Sequence, residues 1–386
     1  GLPSAAGRRR QHAMGGCCKS RPLREDRHAS KSPATGQELE LTAAGIPKLP
    51  APTDDVITDA CEFSEAEFAV AGVDGWVHVY DAEEPGLSGR LRAHGKAVNR
   101  FLSFGDRLLT ASGDATIRVW RKGMQYKGGE GPAEPLLAMQ GHELSVRALD
   151  LVDGACPFTG PAACSGEDGA PALLFSGSRD CTVRLWDLAT GTSLQRVKIL
   201  RNVVTAIRRV PGEARQAVQA SEDLMLRLWD TRSGLRPAVE AQGGPNQIIC
   251  LDVSDDSRFV IGGTKGFSRE NCEVKVFDIR SNLRPLASLA CADQAIEVLH
   301  LVGRERCLIA AHDGYIRGLA VPELKVVCEH GPSSAGGYTA MGVQRRPGAG
   351  PAVLAAAAGP EGAELELLEW PDCALEGEPL LIAATS

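Results

Sequence analysis

One short pattern recurs along this chain and limits its fold more than any other feature. At 176–187 the pattern follows the apolar run Leu173–Phe175, places Asp180 in a turn, and then alternates apolar with polar residues up to Trp186. Alternation with a period of two around a turn predicts two antiparallel strands. A carboxylate in the turn can accept backbone N–H groups, and a buried indole N–H needs an acceptor. The pattern therefore predicts a β-hairpin that Asp180 and Trp186 stabilise.

Further copies of this pattern predict that the hairpin belongs to a repeating unit. The copies lie at Ser112–Trp120, Ser221–Asp230, Asp74–Asp81, Cys272–Asp278 and Asp313–Arg317. The first two keep both the turn Asp and the closing Trp, whereas the other three are degenerate. The units are about 40 residues long, the length of one four-stranded propeller blade. One longer interval contains a Gly-, Pro- and Ala-rich insertion between Val152 and Pro171, which can lengthen a loop without disturbing the strands.

These repeats predict an all-β fold, a single seven-bladed propeller in residues 54–386. A disordered basic tail is expected in residues 1–53, because this segment lacks apolar periodicity. Each blade starts with its innermost strand, near Val56, Ala97, Gly141, Asn202, Gln247, Ala295 and Tyr338. Two segments, Glu38–Leu41 and Pro379–Ala384, are alternatives for the outer strand that closes the ring.

Two short motifs relate the repeats to a known family. The chain resembles the WD40-repeat propellers, because Trp186-Asp187 and Trp229-Asp230 match the pair that names the family and Gly141-His142 matches its Gly-His opening. The resemblance implies a hydrogen-bonded tetrad of His, Ser or Thr, Asp and Trp within a blade. Two blades contain all four residues: His94, Thr110, Asp114 and Trp120 in the second, and His142, Ser176, Asp180 and Trp186 in the third. Leu200 stands where the fourth blade would need its histidine, so we expect that blade to rely more on packing.

Composition and motifs argue against several other classes of function. The chain has a net charge of −7 although its first 33 residues contain eight Lys or Arg and two acidic residues, so the predicted propeller is acidic and is not expected to bind nucleic acid. The segment Gly89–Lys96 departs from the phosphate-loop spacing. The 12 cysteines show no zinc spacing and are interpreted as structural thiols. His312 and Asp313 lack a nucleophile beside them. We therefore predict no catalysis, cofactor, metal or small-molecule substrate.

A segment of the tail, Met14–Ser20, carries a lipidation signal. If translation starts at Met14, Gly15 becomes the N-terminus in a Met-Gly context for myristoylation, and Cys17 and Cys18 can be palmitoylated. Lys19 stands where the motif has Ser or Thr. Two acyl chains and nearby basic residues would together hold the protein on a membrane. The alternative is a basic disordered tail with two incidental cysteines.

The middle of the chain shows a narrower resemblance. Ser178–Gly191, Arg201–Thr205 and Gly266–Glu273 are similar to the family of WD repeat-containing protein 31, which is linked to cilia. The resemblance implies a non-catalytic scaffold in cilium assembly or ciliary protein traffic, with transport or small-GTPase-regulating proteins as partners. It also implies a cytoplasmic location at the cilium or its base. The alternative function is a substrate-recognition subunit of a ubiquitin ligase or another cytosolic complex.

The partner surface is expected on the face that bears the turns between second and third strands, where the WD40 resemblance puts the usual contacts. The candidate contact residues are Arg179, Arg201, Asn202, Glu222, Phe267 and Arg269. Among them Phe267 is the most specific, because an aromatic side chain in a polar Gly-containing turn buries little unless a partner covers it. The insertion between Val152 and Pro171 is the alternative contact segment.

Overall fold

The predicted propeller is confirmed by seven β-sheets that follow one another along the chain. The computed structural model describes residues 48–49, 56–82, 86–123, 134–152, 173–199, 202–213, 215–266, 270, 272–333, 336–345, 350–359, 362–370 and 380–381. All of them belong to one unit, Glu40–Ser386. Each sheet is called a blade here and is numbered in chain order from the sheet that contains Ile57.

The strands alternate with tight turns, and blades 1–6 each contain four consecutive strands. Strand β1 is Lys48–Leu49, and blade 1 contains β2 (Ile57–Glu62), β3 (Glu67–Gly72), β4 (Trp76–Asp81) and β5 (Gly86–Arg92). Blade 2 contains β6 (Val98–Phe104), β7 (Arg107–Ser112), β8 (Ile117–Arg121) and β9 (Leu137–Met139). Blade 3 contains β10 (Val146–Leu151), β11 (Leu173–Ser178), β12 (Thr182–Asp187) and β13 (Ser193–Lys198).

The second half of the ring continues in the same way. Blade 4 contains β14 (Val204–Arg209), β15 (Gln216–Ser221), β16 (Met225–Asp230) and β17 (Arg236–Gln242), with the 3₁₀ turn Thr231–Ser233 before β17. Blade 5 contains β18 (Ile248–Val253), β19 (Phe259–Thr264), β20 (Glu273–Asp278) and β21 (Arg284–Ala290). Blade 6 contains β22 (Ile296–Val302), β23 (Arg306–Ala311), β24 (Ile316–Ala320) and β25 (Lys325–His330). Blade 7 contains β26 (Gly337–Gln344), β27 (Ala352–Gly359) and β28 (Gly362–Glu369), and β29 is Leu380–Leu381. Across these described ranges no helix is long and apolar enough to cross a membrane.

The ring closes through a segment that neither sequence alternative included. β1 pairs antiparallel with β28, Lys48 opposite Glu366, and so supplies the outer strand of blade 7. This strand lies inside the segment 1–53 that we predicted to be a disordered tail, so the propeller begins before residue 54. β29, from the second alternative, instead pairs parallel with β25 of blade 6. Glu38–Leu41 lies outside the described residues. An N-terminal strand in the last blade joins the two ends of the ring, which leaves that blade no open edge at β28.

The core lies between the blades and not at the centre of the ring. In the described residues every pair of neighbouring blades shares a cluster of buried apolar side chains. Between blades 3 and 4, for example, Phe175 and Trp229 lie with ring centroids 5.7 Å apart. Blade 7 contributes the alanine-rich strand β27, whose small side chains pack at both of its interfaces. Because each sheet is covered on both sides by its neighbours, the strands read as apolar runs.

The innermost strand of every blade has a β-bulge near its start. The register shifts after the first paired residue in β2, β6, β10, β14, β18 and β22, and after the second paired residue in β26. The residue before the shift is buried in each case, whereas the bulged residue that follows has no partner across the sheet. A bulge re-aims a side chain at the edge of a sheet. The first strands begin on the face that also carries the turns between second and third strands, and we call this the upper face; the opposite face is the lower face.

Candidate functional site

The upper face of blade 3 is held by a chain of four buried side chains. The indole N–H of Trp186 donates to Ser176 Oγ at 2.8 Å, and Ser176 Oγ lies 2.7 Å from His142 Nε2. His142 Nδ1 lies 3.0 Å from Asp180 Oδ2. Since the indole can only donate, the serine hydroxyl donates to Nε2 and the neutral imidazole donates from Nδ1 to Asp180. The structure thus brings together the four residues of the third-blade tetrad.

Burial and hydrogen bonding set the charges of this tetrad. Burial lowers the pKa of His142, although Asp180 opposes the shift. Burial alone would raise the pKa of Asp180, but the hydrogen bonds from His142 and Thr182 outweigh it and lower that pKa below its usual range. A neutral His142 therefore faces an ionised Asp180 near pH 7. Both side chains form their hydrogen bonds within the blade, which agrees with the interpretation of His142 as a structural residue.

Blade 2 contains the second tetrad with the same connectivity. Trp120 Nε1 donates to Thr110 Oγ1 at 2.9 Å, and Thr110 Oγ1 lies 2.8 Å from His94 Nε2. His94 Nδ1 lies 2.9 Å from Asp114 Oδ2. The Asp114 side chain is 19% exposed, whereas that of Asp180 is 2% exposed. The second-blade tetrad is therefore closer to solvent than the third-blade tetrad.

In blades 4 and 6 the turn aspartate pairs with an arginine of the third strand instead of a histidine, a pairing that sequence reasoning missed. In blade 4, Arg227 donates to Asp223 at 2.6 Å and to Glu240 at 3.2 Å. The fourth blade is thus held by an ion-pair network as well as by packing, which corrects the expectation drawn from Leu200. Trp229 donates to Gln219 Oε1 at 3.1 Å, so a glutamine stands in for the serine.

Blade 6 repeats this arrangement around Asp313, for which a surface or tetrad-like role was the expectation. Arg317 donates to both carboxylate oxygens of Asp313, at 3.2 and 3.0 Å, and to Glu329 at 2.6 Å. His312 is exposed beside it.

In blades 4 and 6 the arginine and its two carboxylates form what we call an arginine triad. The outer strand of each of these blades carries a sequence signal for it. Arg227 and Arg317 lie opposite Glu240 and Glu329 in the strand register. The corresponding arginines of the two histidine-containing blades, Arg118 and Arg184, lie opposite Ala138 and Arg196. A cross-strand carboxylate therefore accompanies the loss of the histidine.

Three of the predicted contact residues are described on the upper face. Arg179 and Glu222 are exposed in the turns of blades 3 and 4, and Asn202 is half-buried ahead of β14. The backbone of the first two is fixed, because Arg179 N donates to Ser145 O at 2.9 Å and Glu222 N donates to Val203 O at 3.0 Å. Their side chains are thus presented on rigid turns. Arg201, Phe267, Arg269 and residues 153–171 of the insertion lie outside the described residues, as do Gly15, Cys17 and Cys18.

The channel along the ring axis opens on the upper face as a cavity of about 340 Å³. Every blade contributes its bulged residue to the lining: Thr58, Asn99, Arg147, Thr205, Ile249, Glu297 and Thr339. Sequence reasoning did not identify this ring, because its seven residues are not all of one type. Their common feature is a position one residue after the first buried aliphatic or aromatic residue of each innermost strand. The bulges therefore collect seven side chains, three of them threonines, at one opening.

The neutral polar members of this ring use their donors on the neighbouring backbone. Asn99 Nδ2 donates to Val146 O at 2.7 Å and Thr205 Oγ1 donates to Ile248 O at 2.6 Å, each in the next blade. Thr58 Oγ1 lies against Val98 O in the same way. Thr339 Oγ1 donates to Ala356 O at 3.4 Å. These side chains tie the blades together and present oxygen lone pairs to the cavity.

Positive charge is concentrated on one side of the cavity. Arg100, Arg147 and Arg208 line it from blades 2, 3 and 4, whereas Glu297 lines it from blade 6. Arg100 is paired with Asp59 at 3.0 Å, and Arg208 lies 3.7 Å from Asp252. Arg147 is exposed and forms no ion pair with any residue that the structure describes. Burial raises the pKa of Glu297 above its ordinary value.

Buried carboxylates below the cavity join neighbouring blades. Asp59 accepts the Phe101 N–H at 2.9 Å and Asp252 accepts the Leu301 N–H at 2.8 Å. Asp150 accepts the Arg209 N–H at 2.9 Å. Burial raises the pKa of Asp150 to about 6 despite these hydrogen bonds. These carboxylates have structural partners, and the groups that remain available to a ligand lie above them.

Comparison with known proteins identifies the repeats. The sequence model "WD domain, G-beta repeat" matches residues 86–121 and 133–187. Each match begins around the outer strand of one blade and ends with the third strand of the next. The matched segments contain the two complete histidine tetrads. The chain therefore contains WD40 repeats, a type of repeat typical of non-catalytic scaffolds.

Curated relatives share part of this repeat region. The chain is 26% identical over 204 residues to WD repeat-containing protein pop1 of Schizosaccharomyces pombe, which covers 45% of the chain and 25% of that protein. It is 27% identical over 255 residues to Nuclear distribution protein PAC1 of Arthroderma otae, covering 64% of the chain and 50% of that protein. It is 26% identical over 238 residues to Mitochondrial division protein 1 of Saccharomyces cerevisiae, covering 54% and 32%. The matched region thus spans a quarter to half of these relatives.

Proposed function

We propose that this WD40-repeat propeller is a non-catalytic interaction platform that binds a polypeptide partner on its upper face. The observation that carries the proposal is that buried and exposed side chains on that face have separate roles. Buried tetrads and arginine triads fix the turns. The exposed side chains on those turns and around the channel take little part in the fold. A rigid scaffold that presents varied side chains around a concave opening suits polypeptide recognition.

Paired substitutions on the two faces test this proposal. Arg179→Ala with Glu222→Ala removes two exposed side chains from the upper face, and we expect recovery of bound proteins in affinity purification to fall at least about tenfold if these residues belong to a contact centre. The matched control is Arg304→Ala with Glu305→Ala, an exposed pair in the lower-face turn between β22 and β23. Equal losses in both variants, or a loss only in the control, would place the partner elsewhere.

The finer proposal is a ciliary role, and it is supported by the resemblance of residues in blades 3–5 to the family of WD repeat-containing protein 31. Recovery of ciliary transport proteins or small-GTPase regulators in the same purification would support it. Recovery of ubiquitin-ligase subunits would support the alternative, a substrate-recognition subunit.

We further propose that the protein is tethered to a membrane through Gly15 together with Cys17 or Cys18. One myristoyl chain binds membranes only weakly and reversibly, and an acyl chain on a neighbouring thiol makes the attachment durable. Lys19, next to these residues, would add about 1 kcal/mol at an anionic leaflet.

Cell fractionation checks this tether. Gly15→Ala should move the protein from the membrane pellet to the soluble fraction, whereas Gly16→Ala, which keeps the acylated residue, should not. Serine at both cysteines should leave a weak attachment that salt disrupts. An intact mass that includes residues 1–13 would rule the tether out, because an internal Gly15 cannot be acylated on its nitrogen.

A further inference from the structure

The channel mouth has a chemical preference that its shape alone does not reveal. Hydrogen-bond donors and acceptors are unequally available at its rim. Among the bulged residues, Asn99, Thr58, Thr205 and Thr339 direct their donors to backbone carbonyls. These residues can therefore accept hydrogen bonds from a ligand through their oxygen lone pairs.

The available side-chain donors belong to three arginines and, in blade 6, to the imidazole of His312. Arg147 is exposed at the rim and lacks an ion-pair partner within the described ranges. Arg100 gives one N–H to Asp59, and Arg208 gives one to the Ile207 carbonyl at 3.1 Å. A guanidinium has five N–H donors, so most of the donor capacity of these two side chains is unused within the described residues. The three arginines come from consecutive blades and line the same cavity.

The carboxylates nearby pair with two of these three arginines. Asp59 lies 3.0 Å from Arg100, and Asp252 lies 3.7 Å from Arg208. Glu297 lines the cavity three blades away from Arg147 around the ring. Among the described residues, Arg147 is therefore the arginine of this side of the mouth without a carboxylate at ion-pair distance, although the chain as a whole is acidic.

We propose that the channel mouth binds an anionic side chain of the partner polypeptide, a carboxylate or a phosphate, with Arg147 as its principal contact and Arg100 and Arg208 lining the wall beneath. This inference rests on the proposed function, because it names the chemistry that the same face selects. Arginine presents paired N–H groups that match the geometry of both anions. The lone pairs of the threonines and Glu297 accept N–H groups from the rest of the segment, so the anionic residue points toward blade 3.

The cavity size is consistent with one inserted side chain. A volume of about 340 Å³ at the mouth accommodates an acidic or phosphorylated side chain and the backbone on either side of it. Below this level, residues such as Asp150 already have backbone partners. The anion therefore stops at the level of the arginines.

A peptide-library experiment tests the preference. The probe is a positional-scanning library of nine-residue peptides whose central residue is fixed as glutamate, phosphoserine, serine, lysine or leucine. Full-length protein should retain the glutamate or phosphoserine pools about tenfold better than the lysine pool, and added salt should reduce that difference. The ratio between the glutamate and phosphoserine pools identifies which anion the site takes.

Charge reversal at the rim provides the decisive comparison. Arg147→Glu should abolish or invert the preference, and Arg147→Lys should retain part of it. Arg304→Glu is the matched control, because Arg304 is an exposed arginine of the lower face and does not line the cavity. All three variants change exposed residues, so their melting temperatures should stay close to that of the unchanged protein.

The outcomes separate this inference from the proposed function. A library preference that survives Arg147→Glu, or no preference for either anion, overturns the inference. If partner recovery still depends on Arg179 and Glu222 in that case, the interaction function stands without it. Displacement of the acidic peptides by inorganic phosphate alone at equal concentration would also overturn it, because the site would then recognise a free anion and not a peptide side chain.

Discussion

Arg317→Met should destabilise the propeller by about 3–5 kcal/mol, the cost expected when one partner of a buried ion pair is removed. The side chains of Arg317 and Asp313 are 9% and 6% exposed, and Arg317 Nη1 donates to both carboxylate oxygens of Asp313. The substitution leaves the carboxylate of Asp313 without its cation and also frees Glu329. Arg227→Met in blade 4 should act in the same direction and less strongly, because Glu240 is 48% exposed.

Denaturant unfolding measures this cost directly. The matched control is Arg196→Met, in which an arginine that is 43% exposed loses a partner, Glu143, that is 70% exposed. Exposed pairs contribute at most about 1 kcal/mol, so this control should change the unfolding free energy little. If Arg317→Met and Arg196→Met lowered the unfolding free energy by similar amounts, the triads would not stabilise their blades as the histidine tetrads do.

Asp180→Ala is the second large effect, with an expected cost of about 3 kcal/mol. Asp180 accepts hydrogen bonds from His142, from the backbone N–H groups of Glu143 and Thr182, and from the Thr182 hydroxyl. Its side chain is 2% exposed, so these donors would lose their acceptor in a largely buried site. The cost should be greater than that of Asp114→Ala, because Asp114 is 19% exposed.

Thermal melts test this second prediction, and pH provides a further check. Because the pKa of Asp180 in the folded protein is lower than in the unfolded chain, its contribution is present above about pH 4 and is lost as the pH falls further. The difference between the unchanged protein and the variant should therefore narrow in acid. Asp255→Ala, at an exposed ion pair with Arg345, is the matched control. A melting temperature unaffected by Asp180→Ala would contradict the structural role of the tetrad.

The sequence alone determined the features that depend on neighbouring residues. The turn at Asp180 and the alternation up to Trp186 specify a hairpin within a few residues, and repeating it along the chain predicted the number of blades. The two histidine tetrads could also be assigned, because the resemblance to WD40 repeats implies them and Thr110, Asp114 and Trp120 have the same spacing as Ser176, Asp180 and Trp186.

Tertiary structure decided the features that join distant segments. The pairing of Lys48 with Glu366 depends on the two ends of the ring meeting, which no local pattern encodes. Arg317 became a replacement for histidine only because the outer strand places Glu329 opposite it. The ring around the channel contains unlike residues such as Arg147 and Glu297, and only the bulges at the start of the innermost strands bring them to one opening. Packing of the whole ring decides which side chains of neighbouring blades form hydrogen bonds. The order of residues therefore could not predict which charged side chains meet at the channel mouth.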